Sequence, residues 1–542
     1  MPAITFAMDD LYKLVGSKFS DEKFTQLLDS AKAELDSKLS TEVTIKFNDT
    51  NLPYLWSVEG LARFFRGLLG KQKGISRIKI GKPKDKITCD KRLAKIRPHI
   101  ACFKASGVKI NDYLLKQIIQ LQEKLAENFG KKRQKISIGV YPLKKITFPV
   151  AYKAAMPSET FVPLDFHQPV SLRQALEKHP KGKEYGHLIK HESLYPVFVD
   201  AKKEILSLIP VINSEKTGRL SVGDDSLFFD TTGTDAESVN LVANIFAYAL
   251  AERGFAIEPC IIDYPGKKAS TPTLENKKIK FKEELAEQML GIPLKSSDIK
   301  HALERMGYEY SGGTVTIPSY RNDIMHPVDI IEDIAIAHGY DNFGAQPLTS
   351  YTPGAVLASQ PRIDAQRGLW VGLGYQEIAS AILSNKELLY DKVNVQNFGT
   401  IEIENYMSLT YSCVRSWILP IMLDVLAKNK HVDYPQKIFE QGPITLLAKE
   451  PRDEHHLAAA TAHSTATFTE MKQAVEATLR SAGVSYSFEE FELGCFIPGR
   501  AAKVLVNKKQ IGFLGEIHPA VLEKFGLFVP VAACEINLTA LF

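Results

Sequence analysis

The stretch RNDIMHPVDIIEDIA, residues 321–335, carries four carboxylates: Asp323, Asp329, Glu332 and Asp333. A set of oxygen-only donors at this density suits a hard cation such as Mg²⁺, which takes carboxylates and water. Pro327 fits the first turn of a helix, and no breaker follows until Gly339. At roughly 3.6 residues per turn, Asp329, Glu332 and Asp333 share one face, while Ile330, Ile331, Ile334 and Ala335 share the other. Three like charges on one face repel. They are therefore held by a metal, by a basic partner, or by water as a solvated face complementing the helix dipole. Spacing alone leaves all three open.

Other chemical signatures fail. GLWVGLGYQE is not the dinucleotide fingerprint G-x-G-x-x-G, and GLLGKQKG lacks the spacing and hydroxyl of a P-loop. His455 and His456 are adjacent, so they form no H-E-x-x-H pair, and no G-x-S-x-G elbow occurs. INSEKTG and FFDTTGTD place Asn213, Ser214, Asp230 and Thr232 at strand ends and turns. There such side chains either face a cavity or cap a turn.

The elements that must position these groups come from an ordinary globular text, 45% hydrophobic and 24% charged. A length of 542 residues suggests roughly three to five domains. No run of about 18 apolar residues predicts a membrane span. Asp9 and Asp10 stand where a signal peptide would be basic and then apolar, which predicts a cytosolic chain. Six scattered cysteines without a C-x-x-C pair read as reduced thiols. The net charge of +4 is too small to indicate nucleic acid, although Lys71 to Arg97 holds eleven Lys and Arg against two acids.

DEKFTQLLDSAKAELDSKL reads as helical text and TEVTIKFN as a strand. LLKQIIQLQEKLAENF and SVNLVANIFAYALAERG read as helices, the second stopped by Gly254, while KISIGVYPL and SLFFDTTGTD read as strands. YPGKKASTPTLENKK, 264–278, and PLTSYTPGAVLASQP, 347–361, read as linkers. The last 180 or so residues mix amphipathic helices near 362–373 and 469–482 with strands such as KIFEQG.

PSYRNDIMHPVDIIEDIAIAHGY resembles the B5-domain signature of the phenylalanyl-tRNA synthetase β-subunit family. VRSWILPIMLDVLAKNKHVDYPQKIFEQG and IGFLGEIHPAVLEKFGL resemble its class II synthetase-like domain, and SLIPVINSEKTG with FFDTTGTD resembles its B3/B4 module. The short N-terminus and FVPLDF resemble the archaeal/eukaryotic type. One departure is Asn405-Tyr406-Met407-Ser408, where the family commonly has Asn-Pro-x-Ser. The resemblance implies an α+β multidomain chain: a B1-like domain over 1–90, B3/B4 over 91–265, B5 over 266–346, and an inactive class II-like antiparallel sheet with helices over 347–542. It implies Mg²⁺ on Asp323, Asp329, Glu332 and Asp333, and an editing pocket for mischarged tyrosyl-tRNA using Asn213, Ser214, Asp230 and Thr232. It also implies assembly with an α subunit as an α2β2 tetramer, binding of tRNA(Phe), and ATP and phenylalanine at the α site.

Class II activation needs an arginine on the ATP phosphates, but Arg415 precedes a helix and Arg500 lies in the wrong text for that motif. A β-like protein that only docks tRNA or partners is a second reading. A metal-dependent phosphate hydrolase is a third, and no second dense carboxylate cluster supports it.

Overall fold

The alternation in TEVTIKF buries Val43, Ile45 and Phe47 along the strand Glu42–Phe47, the centre of a three-stranded antiparallel sheet with Ala3–Ala7 and Ala33–Lys38. The computed structural model describes residues 2–39 and 41–542. The text expected to be helical over this region is a helix only from Asp21 to Ser30. Lys32 turns the chain at φ 53°, and the following AELDSK pairs along Glu42–Phe47 as an edge strand. Strand pairing has overridden the helix propensity of those residues.

A ten-stranded sheet carries most of the middle of the chain. Ser226–Gly233 lies between Ile136–Pro142 and His99–Ser106, antiparallel to both. The helix Ala236–Glu252 packs against this sheet, and Gly254 takes φ 93° just beyond its end. Lys86–Cys89 joins the same sheet, parallel to Val150–Ala155 and to Ala256–Tyr264. Lys267–Thr271 forms a hairpin with Ala256–Tyr264. The boundaries expected at 90 and 265 therefore both cut off strands that hydrogen-bond into the sheet. KKAST, expected as loop, is a strand because its backbone has an edge to pair with.

The segment expected as B5, 266–346, adds a three-stranded sheet of Lys277–Lys280, Thr314–Ile317 and Glu309–Ser311 to the helices Glu283–Leu290, Ser296–Arg305 and Pro327–His338. Its Tyr308, Val315 and Ile331 share one continuous core with Phe65 and Trp56 of the N-terminal region. Chain contacts divide the molecule into two units, Met1–Pro347 and Leu348–Phe542. Residues 343–359 carry no helix or strand. The second unit is built on a seven-stranded sheet, antiparallel except where Gln376–Glu377 runs parallel to Gln436–Leu447. Among the described residues no helix is long and apolar enough to cross a membrane.

Candidate functional site

The four carboxylates of 323–333 line one pocket of about 70 Å³ in the first unit, with Lys32, Asp49 and Arg321 among its other walls. Each already has a donor. Arg321 donates from Nε to Asp323 Oδ1 at 3.1 Å and from Nη1 to Asp333 Oδ2 at 2.6 Å. Tyr308 also donates to Asp333. Asp329 Oδ2 accepts the backbone N–H groups of Met325 and His326, both at 2.8 Å, and so ties the entry of the helix Pro327–His338. Glu332 accepts from the Tyr340 hydroxyl at 2.6 Å and pairs with Lys32 at 3.4 Å. Asp333 is buried rather than on an open acidic face, and burial pushes its carboxyl up while Arg321 pulls it back.

Among the described residues no three His, Cys, Asp or Glu side chains are arranged to hold a metal ion. The donor chemistry and charge nonetheless fit a hard cation. Five carboxylates face two cationic side chains in this pocket, leaving three formal negative charges uncompensated. The guanidinium of Arg321 stands between Asp323 and Asp333. Its side chain is only 3% exposed, so removing it strips two nearly buried carboxylates of their partner. Arg321→Met is expected to cost about 3–5 kcal/mol, the usual effect of breaking a buried pair. Urea unfolding checks this; a loss below about 1 kcal/mol would contradict it.

A second pocket, of about 100 Å³, opens against the strand Ser226–Gly233. Of the four residues expected there, Asp230 and Asn213 line it. Thr232 lies two register pairs along, hydrogen-bonded to Ser137 at 2.9 Å and to the buried Arg97 at 3.1 Å. Ser214 is not in the wall: it caps a short helix, accepting from Thr217 N at 3.2 Å, with its hydroxyl 2.6 Å from that of Thr217. Asp230 is 2% exposed, and its Oδ2 lies close to the Tyr141 hydroxyl but outside ordinary hydrogen-bond geometry. Burial raises its carboxyl to about 7, although the Tyr141 hydroxyl and Arg97 both act to lower it.

Sequence reasoning missed Gly139, Tyr141 and Ser207, which also line this pocket. The Tyr141 hydroxyl donates to Ser207 Oγ at 2.9 Å. A signal for two of them was present. In KISIGVYPL, Ser137, Gly139 and Tyr141 are two apart and so share a strand face. That face lies opposite Thr232, Asp230 and Phe228 in register.

In the second unit, Arg415 is 1% exposed. It donates to Glu440 at 2.6 Å, Ser380 at 3.0 Å and the Pro443 carbonyl at 2.9 Å. Arg500 pairs with Glu516 at 2.6 Å. Glu535 accepts the backbone N–H groups of Ile418 and Leu419, anchoring the start of the helix Leu419–Lys428. Arg415 is thus held inside the fold, while Arg500 is paired at the surface, its side chain 60% exposed.

Residues 345–538 match the family model of the phenylalanyl tRNA synthetase beta chain CLM domain, and residues 279–340 that of the tRNA synthetase B5 domain. The phenylalanine–tRNA ligase beta subunit of Pyrococcus furiosus is 40% identical over 555 residues, covering 100% of both chains. That of Archaeoglobus fulgidus is 35% identical over 549 residues, covering 100% of this chain and 99% of its own. The crystal structure of an N-terminal fragment of the Pyrococcus horikoshii phenylalanyl-tRNA synthetase beta subunit superposes with a TM-score of 0.61 at 38% identity. It covers 62% of this chain and 100% of the fragment. The resemblance seen in separate motifs thus extends over the whole length, and the carboxylate pocket falls against the matched B5 segment. This chain belongs to the phenylalanine–tRNA ligase β-subunit family.

Proposed function

We propose that this chain assembles with an α subunit, as an α2β2 tetramer in the cytoplasm, into a phenylalanine–tRNA ligase. ATP, phenylalanine and the acceptor end of tRNA(Phe) react at the α site, and this chain scaffolds α and hydrolyses tyrosyl-tRNA formed in error. The observation that carries the editing role is Asp230, a buried carboxyl beside the Tyr141 hydroxyl on the wall of a pocket. A buried acceptor left unsatisfied costs about 1–3 kcal/mol. The phenol of tyrosine brings a donor for this carboxyl; the ring of phenylalanine does not. Such a site discriminates where an apolar synthetic pocket cannot, since rejecting one added hydroxyl there reaches only about 10²-fold. The assembled enzyme, given preformed tyrosyl-tRNA(Phe) and phenylalanyl-tRNA(Phe), is expected to deacylate the first much faster. Equal rates would remove the editing role.

The carboxylate pocket is proposed to hold Mg²⁺ through Asp323, Asp329, Glu332 and Asp333. When bound, the ion would neutralise the excess negative charge and tie the helix Pro327–His338 to the loop before it. Substituting Asp333 would also strip Arg321, so the informative variant is Asp329→Asn with Glu332→Gln. The asparagine oxygen can still accept the N–H groups that Asp329 Oδ2 accepts. Thermal unfolding of wild-type chain is expected to shift up by a few degrees in millimolar Mg²⁺ over chelator, and the double variant to lose that shift. A wild-type chain indifferent to Mg²⁺ would leave the counter-charge to protein groups such as Arg321 and Lys32 and refute the site.

A further inference from the structure

We infer that the lysine-rich segment 71–84 is a surface for RNA, on which the phosphate backbone of the tRNA rests apart from both pockets. The inference rests on the ligase reading above and names the side chains that would hold the nucleic acid; none of its lysines lines either pocket. KQKGISRIKIGKPKD, residues 71–85, joins the helix Val58–Leu68 to the strand Lys86–Cys89, with no helix or strand of its own beyond one bridge. It is pinned to the strand Ala256–Tyr264 at two points, where Ile80 bridges Ile257 and where Lys86 pairs with Ile261. The chain takes six residue steps where the strand beside it takes four, so Lys82-Pro83-Lys84 bows out, all three exposed. Pro83 keeps Lys82 extended, and the two lysines stand on a stiff backbone.

Lys71, Lys73, Lys79, Lys82 and Lys84 are exposed, and among the described residues none of them is ion-paired. Lys71 donates to the Gly16 carbonyl at 2.8 Å, which leaves its charge uncompensated. The carboxylates around the segment are engaged by other cations. Lys104 holds Asp85 at 2.6 Å and Glu258 at 2.9 Å, Lys86 holds Asp263 at 2.5 Å, and Arg77 holds Glu309 at 2.8 Å. Lysine and proline also guard exposed sheet edges, but Lys71 and Lys73 lie outside the paired stretch, with no edge to guard. Protein interfaces are depleted in lysine and built on aromatic anchors, and this segment contains no aromatic residue. A strip of point charges on flexible stems matches a polyanion instead, and tRNA is the polyanion of the ligase reaction.

The test uses the assembled enzyme with Lys79→Gln, Lys82→Gln and Lys84→Gln together, read by tRNA(Phe) binding across a salt series. The expected result is a Kd weaker by at least about tenfold near 0.1 M salt. The slope of log affinity on log salt should fall by about two to three, roughly one for each lysine on a phosphate. Phenylalanine-dependent pyrophosphate exchange, which needs no tRNA, should keep its wild-type rate. In the wild type, bound tRNA should shield Lys82 and Lys84 from amine acetylation. Equal labelling with and without tRNA would overturn the inference whatever the variant does, and so would unchanged affinity and slope in the variant; either leaves the ligase reading standing. A folded variant that no longer assembles with α would also overturn it, giving the surface to a protein partner. An assembled wild type that binds no tRNA(Phe) would overturn both.

Discussion

An assembled enzyme carrying Asp230→Ala is expected to clear tyrosyl-tRNA roughly 10- to 100-fold more slowly than wild type, with charging of phenylalanine unaffected. A hydrogen bond to a charged group contributes roughly 1.5–3 kcal/mol, and here it is made only by the wrong amino acid. Thr232→Ala is expected to do less, because Thr232 acts at one remove through Ser137. The pH dependence fixes the sign of the effect. The carboxyl sits near 7 rather than 3.8, so clearance by wild type should rise as pH passes through about 7 and Asp230 ionises into the stronger acceptor. Asp230→Asn should flatten that rise. Tyrosyl-tRNA clearance at unchanged rate in Asp230→Ala would take Asp230 out of the site.

The same burial has a cost in stability. Between about pH 4 and 7 the unfolded chain has released this proton and the folded chain still holds it, so the folded state loses ground as pH rises. The contribution is fully present below the ordinary carboxylate range and gone above the folded value. Asp230→Asn, which never ionises, should therefore gain on wild type at pH 8 relative to pH 5 in urea unfolding. A difference independent of pH would mean that Asp230 is ionised throughout.

The carboxylates of 323–333 were legible because one helix and the turn before it bring them together; local spacing is enough. Their counter-charge was less legible. Arg321 opens the same fifteen residues, yet nothing in the spacing says that its guanidinium folds back between Asp323 and Asp333. Lys32 reaches Glu332 from 300 residues away, which only the tertiary fold can arrange. The second pocket divides in the same way. Alternation puts Ser137, Gly139 and Tyr141 on one face, but it is strand order that sets that face against Asp230 and brings Ser207 across. Ser214 was misplaced because the residue type that can face a cavity also caps helices, and here the cap took it. AELDSK and KKAST failed for one reason: both are polar edge strands, whose pairing partner is the only thing that makes them strands.

Phenylalanine-dependent ATP–pyrophosphate exchange is the measurement that bears most directly on a β chain that supports a reaction it does not itself perform. Adenylate formation needs cationic groups placed on the ATP phosphates as charge develops. In the second unit Arg415 is closed off by Glu440, Ser380 and Pro443, and Arg500 is paired with Glu516. Freeing Arg415 would leave Glu440, 3% exposed, as a buried unpaired charge, at a cost of roughly 3–5 kcal/mol. The purified chain alone is therefore expected to give exchange at background. Co-expressed with an α subunit, it should elute as a larger complex that both exchanges pyrophosphate and charges tRNA(Phe). Robust exchange by this chain alone, or no gain on adding α, would contradict the account.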